Sequence, residues 1–331
     1  MSSVETEKHL QNIYNIPLGT LCGMGAGALW GLVFLAPELV RDFTPLELAI
    51  GRFLAYGIIA FVIIIPRWSI LTSNLNKQDW RVLFWLSLFG NTLYYVLLSK
   101  AVQSGGIALT SLVIGFLPVA VTIIGSRDKE AIPLIALFPS LLLCCAGAVC
   151  IGWQALKAPE ATHQTSMGLL WSIAALLSWT TYAVGNSRSL ARLSSVSIHD
   201  WNLLVGLVTG AQAICLIPVA LFVGHLQHDL ISWGRFVEVS TAVAIIASLF
   251  GNVLWNRMSR LLPLTMTGQM ILFETLFALI YGFLWEHRWP RPIEVAAFSL
   301  IVCSVMTCVS VHRKHHREIN SPAIPSYKRG V

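Results

Sequence analysis

The chain has 331 residues, of which 56% are hydrophobic and only 11% charged, with a formal charge of +6. An ordinary soluble domain carries about 25% charged residues, so this composition excludes a pair of soluble domains. The basic residues sit in loops and at the C-terminus rather than along one face, which argues for membrane orientation and against a nucleic-acid partner.

Residues 1–17 form a polar N-terminal tail without the basic region and cleavage site of a signal peptide, so the first apolar segment is expected to stay. Ten spans follow, at about 18–37, 46–66, 80–100, 105–125, 131–153, 167–186, 200–223, 236–256, 264–285 and 293–312. Polar and turn residues punctuate them. Arg41 to Pro45, Arg67 to Asp79, a tight turn at Ser104-Gly105-Gly106 and a charged hairpin at Ser126–Glu130 divide the first half. A linker at 154–166 precedes the second half, and a basic tail fills 313–331. This predicts an all-α, polytopic membrane protein of ten transmembrane helices. A cytoplasmic N-terminus places fifteen of the 22 basic residues inside and six outside, with Arg52 within a span. Both termini are therefore expected in the cytoplasm.

The two halves repeat each other. Ser-Leu-Phe-Gly-Asn occurs at Ser87–Asn91 and again at Ser248–Asn252, and Gly19 and Gly168 each stand eleven positions before a tryptophan, Trp30 and Trp179. Five spans per half is odd, so the second copy runs inverted, an arrangement that places matched helices around a midplane cavity. The expected repeats are 18–153 and 167–312.

Ionisable residues at membrane depth cost about 2.5–3.5 kcal/mol on insertion scales, so each needs a reason. Glu274 sits mid-span and reads either as a cavity carboxylate, for a substrate amine or a proton, or as a packing carboxylate. Arg52 reads as a structural partner of Glu47 or Glu38, or as a carboxylate-binding or gating cation. Asn91 and Asn252 are equivalent in the repeat, and Asn256 lies one turn beyond; all must find partners inside the bundle. Trp30, Tyr94, Tyr95, Trp179, Tyr182 and Trp255 lie too deep for an interfacial belt, and form either interior packing or walls for an aromatic or apolar substrate. Trp68, Trp80, Trp233, Trp285 and Trp289 fit the belt. Candidate binding residues are thus Trp30, Asn91, Tyr94, Trp179, Tyr182, Asn252, Trp255, Asn256 and Glu274, with Arg52 and Glu274 for coupling or gating.

Leu29-Trp30-Gly31, Arg52-Phe53, Leu117-Pro118 and Leu272-Phe273-Glu274-Thr275, with Glu286 beyond, resemble the EamA-type repeat of the drug/metabolite transporter superfamily across residues 17–312. Thr275 stands where that family has proline, and Ser126–Glu130 does not reproduce its first-half glutamate. Trp255-Asn256 followed by Leu264-Thr265 is similar to the branch of YddG-type aromatic amino-acid exporters. The resemblance implies a central cavity and export of small metabolites across a bacterial inner membrane, without nucleotide hydrolysis. No phosphate-binding Gly-x4-Gly-Lys-Ser/Thr loop is present in the sequence.

The cavity lacks the several cations expected for phosphorylated substrates, so small zwitterions or neutral metabolites fit better. No cofactor or metal is expected: the seven cysteines lie in apolar runs as packing residues. The run His312–Arg317 reads as a basic stop, with metal binding as its alternative. Partners are a small-molecule substrate and membrane lipid, and the chain is expected to be a monomer. Gly23, Gly25, Gly27, Pro118 and Pro218 are candidate flex points. A membrane-embedded enzyme would need a catalytic cluster at depth, and no histidine falls deep within an expected span. A non-transporting scaffold would not need duplicated buried polar groups.

Overall fold

The computed structural model describes residues 15–40, 42–73, 75–128, 131–156, 165–193, 196–223, 228–285 and 287–320. The N-terminal tail to residue 14, Arg41, the linker residues 157–164, Glu286 and the end of the basic tail lie outside them. The described residues are helical throughout apart from turns, with no strand among them.

The helices of the first half are α1 (Ile16–Gly31), α2 (Pro45–Ile64), α3 (Lys77–Ser87), α4 (Leu93–Ile114), α5 (Leu117–Gly125) and α6 (Leu134–Leu156). Those of the second are α7 (Thr165–Arg192), α8 (Ile198–Val223), α9 (Leu230–Val243), α10 (Asn252–Leu261), α11 (Leu264–Met270), α12 (Leu272–Trp285) and α13 (Pro292–Asn320). Starts are set by side-chain caps that satisfy orphan backbone donors. Thr44 and Glu47 form a capping box before α2, and Asn76 and Asp79 form one before α3. Asn15 and Asp229 cap α1 and α9.

Among the described residues, seven helices are long and apolar enough to cross a membrane, and Leu134–Cys150 is a shorter apolar helix. Their outward faces carry exposed large side chains such as Ile135, Leu170 and Phe222, as a lipid-facing surface requires. The chain is a multi-pass membrane protein.

The largest helix contacts join opposite halves: α2 with α8, α4 with α7, α1 with α12 and α10, and α6 with α13. At the α2–α8 crossing a Cβ on Gly57 would stand 2.6 Å from the Cα of Gly210, so only two glycines allow that approach.

Three expectations are corrected. Ser104-Gly105-Gly106 forms no turn; helix runs through it from Leu93 to Ile114. In a bilayer the backbone must satisfy its own hydrogen bonds, which favours helix even over two glycines. The last helix continues past 312 to Asn320, so the basic tail begins on a helix. Within it, His312 is only 3% exposed, with Nε2 3.0 Å from Thr265 Oγ1 and Nδ1 2.8 Å from the Cys308 carbonyl. It is a packed interior histidine rather than part of a surface stop.

Candidate functional site

Both copies of the repeated pentapeptide lie where the α-helix widens into a π turn. Leu88–Thr92 connects α3 to α4, and Ala244–Gly251 connects α9 to α10. Such widening leaves carbonyls free to accept other donors and recurs at functional sites. Here the donors come from other helices, two of them in the opposite half. Ser178 Oγ donates to the Phe89 carbonyl at 2.8 Å, Trp30 Nε1 to Ala247 at 3.1 Å and Asn202 Nδ2 to Leu249 at 3.0 Å. The glycine of each copy lies under an aromatic ring. A Cβ on Gly90 would be 2.4 Å from the Tyr182 ring, and one on Gly251 would be 2.7 Å from Trp30 Nε1.

Two further helices are interrupted beside these turns. α4 and α5 are separated at Gly115-Phe116, just before Pro118, and α11 and α12 at Ile271. The second break puts Glu274 in the first turn of α12, where the helix dipole favours an anion. Gly27 of α1 lies against this turn: a Cβ there would stand 2.7 Å from the Glu274 backbone nitrogen. The glycines of α1 therefore serve close approach rather than bending. Gly27→Val is expected to displace α12, destabilising the protein by about 1–3 kcal/mol. A lowered unfolding temperature in detergent would register it; an unchanged one would mean the contact is slack.

The π turns and the helix breaks enclose a cavity of about 640 Å³, within the range of small-molecule sites. Seven of the nine expected binding residues line it: Trp30, Asn91, Tyr94, Trp179, Tyr182, Asn252 and Glu274. Trp179 and Tyr182 meet edge to face at 5.8 Å, forming one aromatic wall. Asn91 is also tied outward, its Nδ2 donating to Thr209 Oγ1 at 3.1 Å. The Glu274 carboxylate has no hydrogen-bond or ion-pair partner among the described residues.

Trp255 and Asn256 do not reach the cavity. Trp255 is 1% exposed and sits behind the wall, its ring 5.1 Å from Trp30 and 5.5 Å from Trp179. Asn256 is held in a buried relay in which Trp201 Nε1 donates to Asn186 Oδ1 and Asn186 Nδ2 donates to Asn256 Oδ1, each at 2.9 Å. Steps of three and four residues from Asn252 swing about 60° and 40° to opposite sides, enough to leave the cavity face.

Arg52 also lines the cavity, and its expected pairing with Glu47 is not formed. Glu47 Oε2 instead accepts from the backbone and hydroxyl of Thr44, completing the α2 cap. The Glu38 side chain lies outside the described residues. Arg52 Nε donates to Ser248 Oγ at 2.9 Å, Nη1 donates to Tyr95 Oη, and the guanidinium lies 5.4 Å from the ring centroids of both Phe53 and Tyr95. Tyr95, one of the deep aromatics but not one of the candidate binding residues, also lines the cavity. Its spacing of one turn from Asn91 was the available signal.

Residues 17–153 and 166–310 match the EamA-like transporter family. The inner membrane protein YtfF of Escherichia coli (strain K12) is 28% identical over 314 residues, covering 88% of this chain and 94% of that protein. An uncharacterized transporter of Synechocystis sp., sll0355, is 28% identical over 239 residues, covering 66% of this chain and 69% of that protein. A solved crystal structure superposes with a TM-score of 0.68 at 20% identity, covering 92% of this chain and 99% of the other, and shares its fold. With both halves matched in turn, the chain belongs to the EamA-like transporter family.

Proposed function

We propose that the protein is a secondary transporter that exports small metabolites, foremost aromatic or neutral amino acids, across the inner membrane of a bacterium. The observation that carries this reading is the cavity between the halves. Aromatic walls there surround amides and two charged side chains, Glu274 and Arg52, that are not paired with each other. Aromatic rings suit an apolar side chain, while the amides and charges orient a polar end. Trp30, Asn91, Tyr94, Trp179, Tyr182, Asn252 and Glu274 make up the substrate site in this reading, with Trp255 as backing. The YddG-type exporter branch fits the same wall. A carrier of drugs or other metabolites is the second reading, favoured only if amino acids fail. A membrane-embedded enzyme is disfavoured, because the described residues lining the cavity include no histidine to serve as a base.

Ten crossings follow if Ile16–Leu39 and residues 104–125 span alongside the seven long helices and Leu134–Cys150. That arrangement makes two inverted five-helix repeats, consistent with the cross-half pairing of helices. Alternating access is the mechanism we assign. Three ion pairs join the halves on the face assigned to the cytoplasm: Arg67–Asp200 at 2.9 Å, Arg192–Asp79 at 2.6 Å and Arg188–Asp128 at 2.7 Å. In this scheme they close the inner end and separate when the cavity opens inward.

The test is uptake of radiolabelled aromatic, branched-chain and small polar amino acids into proteoliposomes, against empty liposomes. Saturable uptake of one class supports the reading. No uptake of any by folded protein transfers the fold to a different substrate class.

A further inference from the structure

Resting on the carrier reading above, we propose that the substrate is recognised as a zwitterion. Arg52 takes its carboxylate, Glu274 takes its ammonium group, and Trp179 and Tyr182 receive the side chain. The starting point is how these two charges are held. Arg67, Arg188, Arg192 and Arg288 each pair directly with a carboxylate, at 2.6–2.9 Å. Arg52 and Glu274 share one cavity, yet no ion pair within 4.0 Å joins them.

The separation is built in. Arg52 is anchored on one side by Ser248 of the second π turn and on the other by Tyr95 of α4. Those bonds engage Nε and Nη1 and leave Nη2 without a partner among the described residues, so a hydrogen-bonding edge remains for a ligand oxygen. The Glu274 backbone is set in the first turn of α12, packed against Gly27, so the carboxylate enters the cavity from a fixed root. Two opposite charges thus line one cavity without forming a pair with each other. A ligand carrying the complementary pair of charges satisfies both at once; a ligand with one charge leaves the other buried and unpaired. The chemistry selects an α-amino acid over the corresponding amine or acid. The Ser248 hydroxyl aims the guanidinium, which makes Ser248 a positioning residue.

The experiment is competition against radiolabelled phenylalanine and leucine uptake in proteoliposomes. The competitors are unlabelled amino acid, its amine (phenethylamine or isopentylamine) and its acid (3-phenylpropionate or 4-methylpentanoate). In the wild type each single-charge analogue should compete at least tenfold more weakly than the amino acid. In Arg52→Gln the advantage of the amino acid over its amine should vanish, while its advantage over the acid persists. Glu274→Gln should give the converse. Arg52→Lys should restore part of the lost discrimination, and Ser248→Ala should weaken selection for the carboxylate without affecting selection for the amine. These are ratios within one variant, so they do not depend on the amount of folded protein. Where a variant transports too slowly, equilibrium binding of the labelled amino acid to purified protein gives the same ratios. Equal loss for all three competitors in both variants would overturn the assignment and make the two charges structural, with the carrier reading intact. A wild type that takes up neither amino acid would overturn the carrier reading itself, and this inference with it.

Discussion

Glu274→Gln is expected to lower the initial rate of transport by about thirtyfold to a few thousandfold, with the protein still folded. The range follows from truncating one partner of a buried charge contact, about 2–5 kcal/mol, at 1.4 kcal/mol per tenfold. Glutamine keeps the shape and the helix, so packing against Gly27 survives. What it removes is the anion that faces the cavity without a protein partner. If the same carboxylate also carries a proton, the variant loses whatever pH dependence the wild type shows. The measurement is a rate per folded molecule in proteoliposomes at several external pH values. A variant that transports at the wild-type rate would reduce Glu274 to a packing residue.

Asn186→Leu is expected to have the largest effect on folding. Asn186 is fully buried and both ends of its amide are engaged, accepting from Trp201 and donating to Asn256. Leucine of similar size leaves a buried indole N–H and a buried carboxamide oxygen unpaired, at about 1–3 kcal/mol each. The three residues come from α7, α8 and α10, so their loss loosens the second half behind the cavity wall. The expected result is a reduced monodisperse fraction and a lower unfolding temperature in detergent. Unchanged melting would show that the relay contributes little, as many polar contacts between membrane helices do.

Much of this architecture was legible because membrane solvation imposes simple rules. The helices that cross announce themselves by apolar length, and the repeated Ser-Leu-Phe-Gly-Asn marked both π turns. The widening itself was not legible: π turns depend on which donors arrive from elsewhere, here Ser178, Trp30 and Asn202. The cavity residues Trp30, Asn91, Trp179 and Asn252 were found because deep aromatics and amides in matched positions have few other uses. Trp255 and Asn256 were misplaced because helical spacing assigns a face to within tens of degrees, while a cavity accepts a narrower arc. The expected Arg52–Glu47 pair fails for a different reason. Glu47, the nearest carboxylate to Arg52 in sequence, is consumed by the Thr44 cap, and the true partners of Arg52 come from α4 and the second π turn. Sequence proximity identifies local partners well and distant ones not at all.

Counterflow shows whether the cavity carries a substrate back and forth across the bilayer. Proteoliposomes are loaded with an unlabelled amino acid that the protein takes up, then diluted into a trace of the same compound in radiolabelled form. A carrier predicts a transient accumulation of label above equilibrium that Glu274→Gln suppresses. Label that only rises to the equilibrium level, identically with and without internal substrate, would contradict the account.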